Sequence, residues 1–317
     1  MTDSTEPKYR ISLASHIVKR EYPPVDWLIP NLFAKGDQIL LAGATGLGKS
    51  LVSLLLAISA VTGRSFGNLP IEPMTINKQM RAFYLDAEMP ESVMAERLQR
   101  THMHDDEQYF LHNLMMMNQV EQEYRFDLTD EESRDELINL TNAQNVSLAV
   151  IDNIFSVMSL KSFNDPEEYI KHLKPLLFDF RRCGTTGLFV DHLNRSEELY
   201  GNITKQIHFD TIIRLTKDQD GIFELEFKKN RRLGLHDEPM TFRIDSSTNV
   251  VTFVSKDGKG DIETFMVNNY DKFRSSAPSE SATIDKLVES ARRQNTDWDI
   301  TDEMIARWKH NPKRYFK

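Results

Sequence analysis

Gly43-Ala44-Thr45-Gly46-Leu47-Gly48-Lys49-Ser50 fits the pattern G-x-x-x-x-G-K-[ST]. The motif constrains the fold strongly, because it works only when a buried strand leads into it and a helix begins inside it. Both flanks comply. Residues 38–42 (QILLA) form a short apolar run that reads as a buried strand. Residues 49–62 are nearly all apolar or small and read as a buried helix, stopped by Gly63. Glycines let the backbone bend so that several N–H groups face one phosphate, and the helix N-terminus adds the positive end of its dipole. In such a loop Lys49 is expected to reach the β- and γ-phosphates of a nucleotide, and the Ser50 hydroxyl to ligate Mg²⁺. Gly43 through Ser50, with Leu51 next in the helix, are the expected nucleotide-binding residues.

The alternation recurs along the chain. Residues 80–86 (MRAFYLD), 146–151 (VSLAVI) and 186–190 (TGLFV) read as buried strands, and 110–117 as an apolar extended segment. Residues 91–102, 130–142 and 166–182 read as helices, with Pro90 at a first-turn position and Gly184 as a stop. Strands alternating with helices predict an α/β fold with a parallel sheet flanked by helices. Beyond Phe209 the period changes. Residues 211–215, 222–228, 240–244 and 250–254 read as strands with no helix between them, punctuated by Gly221 and Ser246-Ser247-Thr248-Asn249. This predicts an antiparallel extension of the sheet. Residues 274–281 (RSSAPSES) read as a linker before two short helices at 283–293 and 302–309. The expected organisation is an arm over 1–24, an α/β domain over 25–254, and a linker with a small helical appendage over 255–317.

Composition sets further bounds. Of 317 residues, 40% are hydrophobic and 27% charged, which excludes wholesale disorder. Lys+Arg number 39 and Asp+Glu 48, a net charge of −9. Residues 255–317 hold 12 cations and 11 anions, so the remainder, with 27 against 37, carries all of the acidity. An acidic body argues against wrapping duplex DNA over a broad basic face, but not against a strand held in a narrow, locally basic channel. No apolar run approaches the ~20 residues that span a bilayer, and the first twenty residues lack the apolar segment of a signal peptide. The lone Cys183 excludes a disulfide framework and a Cys-rich zinc site, predicts a reducing, cytoplasmic setting, and reads as a buried small residue. The nine histidines show no metal-ligand spacing, and Met115-Met116-Met117 reads as core packing.

Four other features gain meaning beside the phosphate loop. Asp152 ends the strand Leu148-Ala149-Val150-Ile151, where a carboxylate can hold Mg²⁺ directly or through water. The plainer reading is a strand-terminal Asp that caps the next turn. Glu88 follows Phe83-Tyr84-Leu85-Asp86-Ala87 at a strand end that would line the ligand crevice, positioned to activate water; Asp86 is the rival carboxylate. His192 ends the strand Leu188-Phe189-Val190 and is expected to sense the γ-phosphate, with Asp191 and Asn194 as alternatives. Lys228-Lys229-Asn230-Arg231-Arg232 puts four cations in five residues after a strand. An isolated charge run of this kind is usually solvated. The sharper reading delivers it to a neighbour's triphosphate.

Together these residues resemble the RecA-like P-loop ATPases, in particular the group holding RepA-type plasmid helicases and DnaB-type replicative helicases. The resemblance covers roughly residues 25–244. It implies that Glu88, in Tyr84-Leu85-Asp86-Ala87-Glu88-Met89, is the catalytic glutamate, Asp152 the Walker B aspartate and His192 the sensor. It implies that Lys229 and Arg231 act in trans across a subunit interface, with Gly234 soon after. It implies ATP and Mg²⁺ as cofactors and a homo-oligomeric ring, of six subunits, with ATP sites between subunits. Two loops, 153–164 with Lys161 and 194–207 with Arg195 and Lys205, would face a channel holding single-stranded DNA. Group members often carry Arg-Gly-Ser in the second loop, where this chain has Leu199-Tyr200-Gly201-Asn202.

The function so implied is an oligomeric ATP hydrolase that moves on or remodels single-stranded nucleic acid, such as a plasmid or mobile-element replication helicase. Two other readings compete: a RecA-like recombinase or recombination mediator, and a nucleotide-gated scaffold that does not translocate. At the C-terminus, Arg307, Lys309, Lys313, Arg314 and Lys317 interleave with Trp308, Tyr315 and Phe316, a pattern suited to stacking and neutralising a single strand. The alternative is an appendage that packs Trp308 on the core.

Overall fold

Every residue of the strand leading into the phosphate loop is buried, as a strand covered on both faces requires. Alternate side chains serve opposite faces: Ile39 and Leu41 join one core and Leu40 the other. The structure is a computed structural model. It describes residues 11–29, 33–62, 80–101, 109–161, 165–193, 207–231, 239–254, 277–294 and 300–310, with 266, 270, 273, 274 and 312.

A short helix α1 (Ala14–Val18) with no buried residue precedes β1 (Trp27–Ile29) and β2 (Phe33–Ala34), which pair antiparallel. Then follow β3 (Gln38–Gly43), α2 (Lys49–Thr62), β4 (Arg81–Asp86), α3 (Glu91–Arg100), β5 (Leu114–Asn118), α4 (Glu131–Ala143), β6 (Val146–Asp152), α5 (Pro166–Cys183) and β7 (Thr186–His192). The chain continues through β8 (Thr211–Lys217), β9 (Phe223–Asn230), β10 (Met240–Ile244) and β11 (Val251–Phe253) to α6 (Glu280–Gln294) and α7 (Asp302–His310). Nine strands form one sheet in the order β11-β10-β9-β8-β3-β7-β6-β4-β5. From β8 to β5 all neighbours are parallel, and β9, β10 and β11 are added antiparallel.

Two cores sandwich the sheet. Residues of α2 and Met94 of α3 fill one face. Leu137 of α4 and Tyr169, Leu173, Leu176 and Phe180 of α5 fill the other. Helix boundaries follow local chemistry. Asp130 accepts the Ser133 N–H to cap α4, and Asp165 accepts those of Glu167 and Glu168 to cap α5, which opens on Pro166. Acidic residues open α5 and Arg181 and Arg182 close it, as the helix dipole favours.

Several expectations are corrected. Residues 109–113 form a 3₁₀ turn, so the strand expected over 110–117 begins at Leu114. β8 is parallel to β3, so the antiparallel extension starts at β9. Cys183 is exposed rather than buried: it is the last residue of α5, one turn beyond Phe180, where Gly184 turns the chain away. Trp308 is fully buried with Met266, Tyr270, Ile284, Leu287 and Val288 in a third cluster, separate from both sheet cores. Its ring is therefore not available for base stacking, and it does not pack on the main core. Residues 313–317 lie outside the described residues, as do Gly234 and almost all of the second expected channel loop. Among the described residues, no helix is long and apolar enough to cross a membrane.

Candidate active site

The strand order brings β3, β7, β6 and β4 side by side, so their C-terminal ends form one continuous edge. Register places Gly43 level with His192, and Asp86 level with Asp152. Residues up to 149 positions apart in sequence thereby reach one crevice, at the end of a parallel sheet where α/β proteins bind ligands.

The phosphate loop is shaped by close packing. A Cβ on Gly43 would meet the Leu215 carbonyl at 2.8 Å, and Gly48 adopts φ +97, which disfavours any side chain. Ala44, Thr45 and Gly46 are exposed, while Leu47 and Leu51 turn toward the core. Lys49 is 5% exposed, and its ammonium donates to the carbonyls of Gly43 (2.9 Å) and Ala44 (2.8 Å). Burial holds its pKa below the usual lysine value, against the pull of Asp152, Asp191 and Glu88.

Asp152 is buried at the end of β6. It accepts a hydrogen bond from the Tyr84 hydroxyl at 2.6 Å and another from Ser50. Burial pushes its carboxyl up; those bonds and Arg97 oppose the shift, and Asp86 adds to it. Tyr84 itself is held well above the usual tyrosine range, by burial first and then by Asp152, so it stays a donor. Ser50 and Asp152 thus present two hard oxygens side by side, a donor set that fits Mg²⁺. Among the described residues no group of three or more His, Cys, Asp or Glu could hold a metal ion.

Glu88 and Asp86 have different surroundings. The Asp86 Oδ1 accepts the backbone N–H groups of Glu88 (3.0 Å) and Met89 (2.9 Å), so this buried carboxylate orders the turn that carries Glu88. Glu88 is exposed at the mouth of the crevice, and its Oε1 accepts from Asn153 Nδ2 (2.8 Å) and Ser156 Oγ (2.7 Å). Partial burial raises its pKa, but the bonds from Ser156 and Asn153, with the electrostatic influence of nearby His192 and Lys49, bring it below the usual glutamate value. A cleft of about 630 Å³ opens beside it, lined in part by Gln119, Gln122, Phe155 and Ser156.

His192 Nδ1 lies 3.1 Å from Lys49 Nζ and 3.3 Å from Thr45 Oγ1, and its Nε2 lies 3.2 Å from Asn153 Nδ2. Burial and then Lys49 lower its pKa, opposed by Glu88, so the ring is neutral at pH 7. Asp191 is buried, and its Oδ1 accepts the His192 N–H at 2.8 Å. Of the expected residues, Lys49, Ser50, Glu88, Asp152 and His192 converge. Asn153, Tyr84, Ser53 and Ser156 complete the network and are not singled out by sequence. Tyr84 carried one signal: a tyrosine in a buried strand needs a partner for its hydroxyl.

Lys229 and Arg231 stand apart. Thr211 pairs with both Ile39 and Asn230, so the end of β9 lies four residues, roughly 13 Å, from the level of Gly43. Phe223, at the start of β9, is the residue facing Gly48. β9 is also not an edge strand, because β10 and β11 extend the sheet beyond it. Arg231 bonds Asp210 Oδ1 and the Ile207 carbonyl, each at 3.0 Å, and Lys229 donates to the same carbonyl at 3.1 Å. The cluster is therefore docked on its own chain rather than wholly solvated.

Residues 4–198, more than half of the chain, match a protein-family model described as an AAA domain. The match includes the phosphate loop, Glu88, Asp152 and His192, and stops before Lys229. No curated protein matches the chain in sequence. The crystal structure of a KaiC-like protein from the hyperthermophilic archaeon Pyrococcus horikoshii OT3 superposes with a TM-score of 0.52 at 18% identity, covering 74% of this chain and 96% of that one. At that identity the likeness speaks to fold, a RecA-like α/β architecture.

Proposed function

The chain belongs to the AAA domain family, and from that premise we propose that this RecA-like P-loop ATPase hydrolyses ATP as a homo-oligomeric ring and uses the energy to move on or remodel single-stranded DNA. The observation that carries the hydrolytic part is the convergence of Lys49, Ser50, Asp152, Glu88 and His192 from four adjacent strand ends. In this reading Lys49 leaves the loop carbonyls for the β- and γ-phosphates. Glu88, ionised at neutral pH, takes the proton of an attacking water. Ser50 and Asp152 would hold Mg²⁺, which neutralises phosphate charge when bound. His192 contacts the γ-phosphate and is the sensor of its loss.

Two observations favour shared sites. Glu88 is exposed in the single chain, whereas electrostatic catalysis gains most in a water-poor site. On the opposite edge of the sheet, Lys174, Arg181, Lys229 and Arg231 surround His208 and, after burial, lower its pKa. A basic face on one end and an acidic crevice on the other suit head-to-tail association, which gives a ring when the rotation between subunits closes.

Glu88→Gln is expected to bind ATP but lose about 10²–10⁴-fold in turnover, the usual general-base contribution, and so to trap the ATP-bound assembly. If Glu88→Gln hydrolyses normally while Asp86→Asn is dead, the roles of the two carboxylates are reversed. The function as a whole is tested by measuring ATPase rate with and without single-stranded DNA, with particle mass recorded alongside. Stimulation by DNA together with a multimeric mass is the expected result. ATP hydrolysis by a multimer that ignores DNA would favour the scaffold reading, and a monomer under all nucleotide conditions would refute the ring.

A further inference from the structure

Asn153 lies between the water-activating and the phosphate-sensing groups and touches both. We propose that Asn153 is a positioning residue that sets the tautomer of His192, so that the ring presents its N–H from Nδ1 toward the phosphate loop while Glu88 is held in the same hydrogen-bonded unit. This rests on the reading of the crevice as an ATP site.

The backbone N–H of Ser156 donates to Asn153 Oδ1 at 3.0 Å. A backbone N–H cannot accept, so the amide has one orientation, with Nδ2 on the other side. That nitrogen has two N–H groups. One goes to Glu88 Oε1 at 2.8 Å; the other faces His192 Nε2 at 3.2 Å. An amide nitrogen does not accept, so Nε2 is the bare nitrogen of the ring. A neutral imidazole carries one proton, which then sits on Nδ1. There it faces Thr45 Oγ1 at 3.3 Å, a hydroxyl able to accept.

One contact does not fit. Lys49 Nζ is 3.1 Å from the same Nδ1, and an ammonium has no lone pair to offer. Moving the ring proton to Nε2 would satisfy Lys49 but set an N–H against the Asn153 amide. Either way, one donor faces another. The flexible lysine is the partner able to yield: it has the Gly43 and Ala44 carbonyls as acceptors, whereas the Asn153 amide is anchored by Ser156 and Glu88. Lys49 Nζ and the His192 Nδ1–H therefore face each other as two donors with no acceptor between them. An anion supplies that acceptor. A phosphate that draws Lys49 forward removes the conflict and receives the Nδ1–H, so the asparagine aims the sensor before the nucleotide arrives.

The test is nitrogen NMR of the full-length, nucleotide-free protein labelled at histidine, recorded above the histidine titration range, with His192 assigned by its absence in His192→Gln. The wild type is expected to show His192 protonated on Nδ1. Asn153→Ala should release the ring to Nε2–H, and the isosteric Asn153→Asp should hold it there, because a carboxylate accepts from Nε2. In both variants kcat should fall by about 10–100-fold, as for other groups that orient a catalytic side chain, with KM for ATP little changed. A wild-type ring protonated on Nε2, or a tautomer unmoved by both substitutions, overturns the proposal. So does wild-type turnover in folded Asn153→Asp. Absence of ATP turnover in the wild type overturns the ATPase reading instead, and with it the catalytic half of the proposal, while the tautomer measurement stands separately.

Discussion

Lys49→Ala is expected to lower ATP turnover by about 10²–10³-fold while the protein stays folded. The lysine is the only cation of the phosphate loop, and it is buried at the head of α2. Its present partners are loop carbonyls, and the Gly43 carbonyl also accepts the Leu193 N–H at 3.2 Å. Removing the side chain therefore takes away a desolvated charge without stripping the loop of its backbone bond, and the two sheet cores are untouched. What is lost is the charge that meets the β- and γ-phosphates as negative charge redistributes during transfer. Turnover should be measured beside a denaturation curve. Wild-type turnover in a well-folded Lys49→Ala protein would remove the phosphate loop from the mechanism and the ATPase reading with it.

Arg231→Ala is expected to lower turnover by about 10³–10⁵-fold, the range for an arginine finger, while nucleotide still binds. The end of β9 is too far from its own phosphate loop for the residue to serve that site, so its action requires a neighbour. Its present partner does not hold it strongly. The Arg231 side chain is 53% exposed, and an exposed pair contributes little to stability. Asp210 keeps other bonds if Arg231 leaves: Arg181 at 2.9 Å and the Gln38 N–H at 2.9 Å both meet its Oδ2. Mixing Arg231→Ala with Lys49→Ala separates cis from trans action. An Arg231→Ala subunit retains Lys49 and can receive Arg231 from a Lys49→Ala neighbour, so partial activity should return on subunit exchange. Wild-type turnover of Arg231→Ala under assembling conditions would instead make the cluster a structural strand end, bound to Asp210 and Ile207 of its own chain.

The local rules written in the chain carried the reading a long way. The strands at 38–43, 81–86, 146–152 and 186–192 and the helix at 49–62 stand where apolar runs and glycine stops place them, because a strand buried on both faces has no alternative composition. Gly184 marked the end of α5 for the same kind of reason, since a left-handed cap acts within its own turn, while the Asp130 and Asp165 caps that open α4 and α5 emerged only in the structure. Where the reading failed, the missing information was long-range. Nothing local to Cys183 says that the helix has passed the edge of the core, nor does Trp308 announce a cluster built with Met266 and Tyr270.

What the sequence by itself determined is the phosphate loop, its strand and helix, and the carboxylates, lysine and histidine that belong at strand ends. These follow from backbone sterics, burial and the charge of a phosphate, all of which act over a few residues. Only the tertiary structure decided that Asn153 meets both Glu88 and His192, that Tyr84 reaches Asp152, and that Asp86 accepts the N–H groups of the turn that carries Glu88. It also decided that Arg231 stands at the opposite end of the sheet from its own phosphate loop. The physical reason is the order β3-β7-β6-β4: parallel pairing brings to one edge strand ends that lie far apart in the chain, and hydrogen-bond partners across that edge leave no periodic or compositional trace.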